Sequence, residues 1–413
     1  MGDKLFKDIT GTRIAKGIEN IVDALGGQTT EIYGYRRNRL DSNPKTRIEY
    51  INDAVGFTPV TQDFTLHTVD PGSWGQFLND IHAPAMVKYD GTLDYYLDRT
   101  DTTKKFDGTP SDISNTAYEG NAMVEFRKYC YVSRKTLGDY DYVFFSNQKV
   151  DDSYRDDAFT SLDGETKTPN FFFSMFDGSY DGTRLRSIAD TEIMRNTSAS
   201  TEVSRAQANG SKWYISQWAQ LCYIWDLLVL LGKSDDLQST FGRGICDLGW
   251  DDGNNPFGWT VGQTKDKGCF WGTSTGDNCV RTLFIEDLWG RAYDRCAGII
   301  NDSGTIKVKL HGPYATPSTT SSDYDSYQVV TTAPTANGYI KQILNTEYGF
   351  IPTDVTGSAS TYMCDYFYQN AEGVRYALVG GRWTDGSRCG RFLHLNDSPA
   401  AARVDIGARL SLV

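Results

Sequence analysis

The sequence has no long apolar run, no C-x-x-C pair and no excess of positive charge, and each absence removes a class of function. Its longest apolar stretch, Leu221 to Leu231, is broken by Asp226 and falls well short of the roughly 20 residues that span a bilayer, so no membrane insertion is expected. A net charge of −12 argues against nucleic acid and anionic membranes as partners, since both are met by Lys/Arg surfaces. Eight cysteines (Cys130, Cys222, Cys246, Cys269, Cys279, Cys296, Cys364 and Cys389) and four histidines (His67, His82, His311 and His394) are scattered without zinc-ligand spacing, so buried free thiols and no metal are expected. The opening residues, Met1 to Asp8, lack the apolar core of a secretory signal peptide, and position 6 is Phe where a myristoylation motif needs Ser or Thr; synthesis in a cytoplasm is expected. No Gly-x-Ser-x-Gly nucleophile elbow occurs, and Gly242, Gly244 and Gly249 miss the spacing of a dinucleotide-binding turn. The last stretch, Gly373 to Val413, contains no Lys, Glu, Gln or Met.

What is present is aromatic and glycine-rich: 25 Tyr, 20 Phe and 9 Trp, with 40 Gly against 12 Pro, a mixture that suits short strands and long loops. Apolar residues at helical spacing predict a helix over residues 12–25, stopped by Gly26-Gly27. The basic stretch from Arg36 to Arg47 reads as a solvated face or as a contact with a neighbouring protein. Turn signals at Pro59, Pro71-Gly72 and Asn79-Asp80 close a small α+β module, taken as 1–82, with 83–413 as a large domain. In the large domain Asp90-Gly91 predicts a hairpin. Strands are expected at Met123–Phe126 and Tyr129–Ser133, read as a pair, and at Tyr140–Ser146, Asn170–Phe176 and Thr305–Leu310. Ser216 is placed to cap a helix to Leu231, with Gly232 at its end and apolar residues on more than one face, hence deep burial. Clustered oxygen ligands from Asp247 to Asn255 suit solvated turns, with Ca²⁺ as the sharper alternative, although their spacing is not that of a calcium loop.

The C-terminal stretch sets polar residues between fixed ones. Gly380, Gly381 and Gly386 offer backbone freedom, while Trp383, Phe392 and Ile406, followed by Gly407, read as anchors. Between them lie Arg382, Thr384, Asp385, Ser387, Arg388, Cys389, Arg391, Leu393, His394, Asp397, Ala401, Arg403 and Asp405, which share no single chemistry and read as a display surface.

The pattern Gly380-Gly381-x-Trp383 followed by Ile406-Gly407-Ala408-Arg409 resembles the ending of the formylglycine-generating-enzyme-like C-type lectin fold. In particular it resembles the variable proteins that diversity-generating retroelements mutate. The resemblance extends from about residue 83 to the end, with Trp213–Leu221 similar to the family's first core helix and Leu288-Trp289-Gly290 kept from its second, which the resemblance implies over Ile285–Cys296. It implies an α+β lectin-like domain of short antiparallel strands, two core helices and long loops behind an N-terminal module. Adenine-directed mutagenesis of AAC codons cannot produce Lys, Glu, Gln, Met or Trp, which agrees with the gap after Gly373. The implied function is that of a phage tail receptor-binding protein. Its variable region, about 380–405, would meet a host cell-surface protein or glycan, its N-terminal module other virion tail proteins, and a homotrimer is the implied assembly. A structural tail component and a bacterial surface-display protein are the alternatives. The family's oxidases need a close cysteine pair after the Trp motif, where this chain has only Cys389, and related members need three histidines at an iron site; no catalysis and no cofactor are therefore expected.

Overall fold

The computed structural model describes residues 29–250 and 258–413, so the helix expected over 12–25 lies outside the described residues. Most of the chain pairs into sheets. The first has four antiparallel strands in the order Ile48–Asn52, Ile32–Asn38, Tyr140–Ser146 and Tyr131–Leu137. The second orders six antiparallel strands as Trp213–Ile215, Leu410–Leu412, Asn170–Ser174, Gly120–Arg127, His82–Lys88 and Leu93–Tyr96. The third and largest is mixed: Tyr293–Asp302 pairs with Thr305–Val308 and Val374–Val379, and Leu393–Leu395 joins Val374–Val379 to Tyr366–Gln369. Ile406–Ala408 adds a parallel strand to Tyr293–Asp302. The expected hairpin forms at Asp90-Gly91, where Gly91 takes the positive φ of 87° that the turn requires. Met123–Phe126 forms a strand, and the second segment does so only from Tyr131, as Tyr131–Leu137; the two do not pair with each other but belong to the second and first sheets respectively.

The helix Trp218–Gly232 runs through the core. Its residues from Trp218 to Trp225 and Leu227 to Leu231 are buried, as an apolar sequence on all sides demands. Its entry differs from expectation. Ser216 Oγ donates to the Arg295 carbonyl at 3.2 Å instead of capping, and Gln217 precedes the helix without a side-chain cap. The chain leaves it through Lys233 in the left-handed region.

Two expectations are overturned. Ile285–Cys296 is not a helix: Asp287, Gly290 and Arg291 take positive φ, and Tyr293–Asp302 is a fully buried strand held between neighbours. Strand pairing on both edges decides that segment, against the helix that the resemblance implied. Nor are residues 29–82 a separate unit. Ile32–Asn38 pairs along its length with Tyr140–Ser146, and Tyr35, Ile48, Trp74 and Phe77 share one core cluster with Trp218, Trp225 and Trp383. The basic stretch is solvated only in part: Lys45 is exposed, but Arg37 and Arg47 are buried against Asp235, Arg37 at 2.7 Å. Among the described residues, no helix is long and apolar enough to cross a membrane.

Candidate ligand-binding surface

The C-terminal stretch is fixed by two glycines and a tryptophan. Gly380 and Gly381 both have φ near +85°, and a Cβ on Gly381 would lie 2.5 Å from Cys389 Sγ, so only glycine fits. Trp383 is fully buried, edge-on to Trp259 and stacked on Trp250, with both ring centroids 5.2 Å away. Backbone bonds zip this turn to the loop before residue 250: Leu248 N–H donates to Trp383 O and Gly386 N–H to Cys246 O, each at 2.8 Å.

Of the thirteen polar or variable positions, one is exposed, Arg388. Arg382, Thr384, Ser387, Asp397, Ala401 and Arg403 are half-buried. The other six correct the expectation of outward display: Asp385, Cys389, Arg391, Leu393, His394 and Asp405 are buried. Each has a physical reason. Leu393 and His394 sit on a strand with neighbours on both edges. Arg391 donates through Nε to Asp365 at 2.6 Å and through Nη2 to Asp235 Oδ1 at 3.1 Å. Asp385 accepts from the Tyr293 hydroxyl at 2.5 Å and from Arg382 N–H at 3.1 Å. Asp405 is held between the guanidinium groups of Arg382 and Arg403. Cys389 lies against the Cys246 thiol, while Phe392 and Ile406 pack in a separate cluster with Tyr293 and Leu378.

Two of the half-buried residues, Arg382 and Arg403, meet the exposed Arg388 in a concavity of about 250 Å³ that Asp385, Asn396, His394, Phe392, Tyr293 and Tyr368 also line. Three arginines and one aspartate line it, in a protein of net charge −12. Arg403 pairs with Asp397 at 2.9 Å and Asp405 at 3.0 Å. Arg388 pairs with no carboxylate among the described residues; its guanidinium lies 5.0 Å from the Tyr366 ring centroid. The His394 ring is packed among Tyr293, Tyr368 and Phe392. Burial, then the Arg403 charge, pushes its pKa down to about 3. It is therefore neutral, and its Nδ1, 3.5 Å from Asp397, forms no ion pair and no hydrogen bond.

Sequence reading missed the aromatic part of this surface. Tyr293, Tyr366, Tyr368 and Trp250 come from outside the C-terminal stretch, whose own variable positions carry no large aromatic. Strand register delivers two of them: Tyr368 pairs with His394, and Tyr293 with Ile406. No spacing in the sequence signals such long-range pairs. Exposure marks two of the four, 53% for Trp250 and 37% for Tyr368, whereas Tyr293 is 3% exposed.

The possible metal sites fare as follows. Asp247 is held by Arg243 through two contacts of 2.9 Å, and residues 251–257 of the proposed calcium loop lie outside the described residues. Cys279, Glu286 and Asp287 converge within 4.8 Å, but the Arg291 guanidinium already fills that space, 2.7 Å from Asp287 and 2.9 Å from Cys279 Sγ. Cys389 does not lack a second thiol, since Cys246 supplies one from far along the chain. Both are buried, and burial, then the Cys246 contact, pushes the Cys389 thiol well above its usual range, so the pair rests as neutral thiols and an ion held there would have to displace a proton.

The fold and surface thus define a sheet-rich α+β protein with a small mixed-charge, aromatic concavity at its C-terminal stretch. No family model matches the chain, and no curated protein matches it. Among solved structures it is similar to one described as "Major Tropism Determinant U1 Variant", at 12% sequence identity and a TM-score of 0.27, over 81% of this chain and 72% of that one. A likeness of that degree fixes neither fold family nor function.

Proposed function

We propose that the chain is a phage tail receptor-binding protein, non-enzymatic, of the lectin-like kind its C-terminal motif resembles, and that a retroelement diversifies its C-terminal surface. The observation that carries this reading is the interleaving at 380–408. Arg382, Thr384, Ser387, Arg388, Asp397, Ala401 and Arg403 reach the surface, while Trp383, Arg391, Leu393, Asp405 and Ile406 are locked inside. Such a stretch can change its outward residues without disturbing the core, which a variable ligand surface requires. Its seat among other virion tail proteins and a homotrimeric assembly belong to the same proposal. Multiple copies would raise the avidity of a modest site by about 10²–10⁴-fold.

Deep sequencing of the gene's 3′ end within one natural population tests diversification. Substitutions should gather at the seven surface positions and spare Gly380, Gly381, Trp383, Cys389, Arg391, Leu393 and Asp405. An even spread through both sets would sink the idea. Particles carrying Arg388→Ala and Arg403→Ala test the receptor role: normal assembly with altered host adsorption is expected, whereas failed assembly would point to a structural tail component.

A further inference from the structure

We infer that the concavity between Arg382, Arg388 and Arg403 takes an acidic saccharide, a sugar ring bearing a carboxylate or a phosphate. This rests on the receptor-binding reading and names the chemistry of the receptor. The cations there differ in availability. Arg382 and Arg403 are tied to Asp405 and Asp397, which fixes their planes and cancels their charge. Arg388 is exposed, unpaired with any carboxylate among the described residues, and steadied by the Tyr366 ring beneath it. A guanidinium so placed presents a planar fork that matches a carboxylate or phosphate through two parallel bonds.

The rest of the concavity suits a sugar ring. Tyr368 is part exposed and stacked on His394, with centroids 5.1 Å apart and planes 23° apart, so it offers a fixed apolar face to ring C–H groups. His394 backs the same wall as a buried imidazole, 5% exposed, and holds the Tyr368 ring in place. Asn396 adds an amide at the rim. A volume of about 250 Å³ lies below the roughly 300–1,000 Å³ of drug-sized pockets, which fits one ring better than a long chain. A folded protein epitope needs about 800 Å² of complementary surface per partner, more than this small hollow offers.

Titration calorimetry on the full chain, with tetragalacturonate, glucose 6-phosphate, inorganic phosphate and maltotetraose as probes, tests the inference. At least one of the two acidic sugars should bind ten-fold or more tightly than neutral maltotetraose, and which one binds distinguishes carboxylate from phosphate. Arg388→Ala and Tyr368→Ala should each lose about ten-fold with an unchanged melting temperature, and Arg388→Lys should fall between. Equal binding of maltotetraose, binding of inorganic phosphate as tight as that of glucose 6-phosphate, or full binding by Arg388→Ala overturns it. Adsorption assays separate this failure from failure of the receptor reading. Periodate treatment of host cells should abolish adsorption. Loss on protease treatment alone, with Arg388→Ala particles still impaired, keeps the receptor role and overturns the saccharide. Unimpaired adsorption by Arg388→Ala and Tyr368→Ala particles overturns the receptor role of this surface.

Discussion

Replacing Arg391 with Met tests whether the buried half of the C-terminal stretch is structural. The side chain is 1% exposed, donates to Asp365 through both its backbone N–H and its guanidinium, and reaches the Asp235 carbonyl and carboxylate. Asp235 keeps Arg37 and Arg47 when Arg391 is lost, so the unpaired charge falls on Asp365. Removing one partner of a buried ion pair costs about 3–5 kcal/mol. An unfolding entropy of roughly 2.1 cal/mol/K per residue makes 1 kcal/mol worth about 1 °C in a chain of 413 residues, so the melting temperature should fall by about 3–6 °C. The loss should depend on pH. Burial, opposed by Arg391, raises the Asp365 pKa to about 7, so the folded state holds a proton there that the unfolded chain has released. Stability linked to this group is therefore complete below its ordinary pKa of 3.8 and is lost as pH rises through about 7. Without Arg391 a protonated Asp365 is tolerated better than a bare carboxylate, so the Met variant should lose less at pH 5.5 than at pH 8. Asp365→Asn in the same chain should recover part of the loss. Thermal scans of the wild type and the two single and one double variants, at both pH values, make the measurement. A Met variant within about 1 °C of wild type at pH 8 would refute the reasoning and return Arg391 to the display surface.

Other outcomes follow from the same geometry. Arg388→Ala should leave the melting temperature within about 1 °C, because an exposed cation without a carboxylate partner contributes little. Native thiols should resist Ellman's reagent at pH 8 and all eight should react after denaturation, since six are buried and burial raises the half-buried Cys130 and Cys269 to about 12; rapid labelling of Cys246 or Cys389 would contradict their placement. Elemental analysis of the purified protein should find no stoichiometric copper or iron, and one copper per chain would overturn the reading of the Cys246–Cys389 pair. Trp383→Ala should destabilise by about 3–5 kcal/mol, read as loss of the cooperative near-ultraviolet dichroism transition at lower temperature, because it empties a fully buried site between two other indoles.

The sequence by itself determined the elements whose cause is local. An apolar run on all sides of a helix forces Trp218–Gly232 into the core, Asp90-Gly91 makes its hairpin, and Gly380-Gly381-x-Trp383 sets a rigid turn that only glycine and one large ring can fill. It also located the stretch that forms the concavity, because polar residues set between fixed anchors are a local pattern. Tertiary structure alone decided which of those residues face out. Arg391 is as polar as Arg388, yet it is buried because Asp235, more than 150 positions earlier, comes to neutralise it. Tyr293 and Tyr368 reach the concavity through register with strands far along the chain, and Cys246 meets Cys389 across two zippered loops. The burial of a polar side chain depends on where its partner lies in space, and periodicity in one segment carries no information about a partner in another.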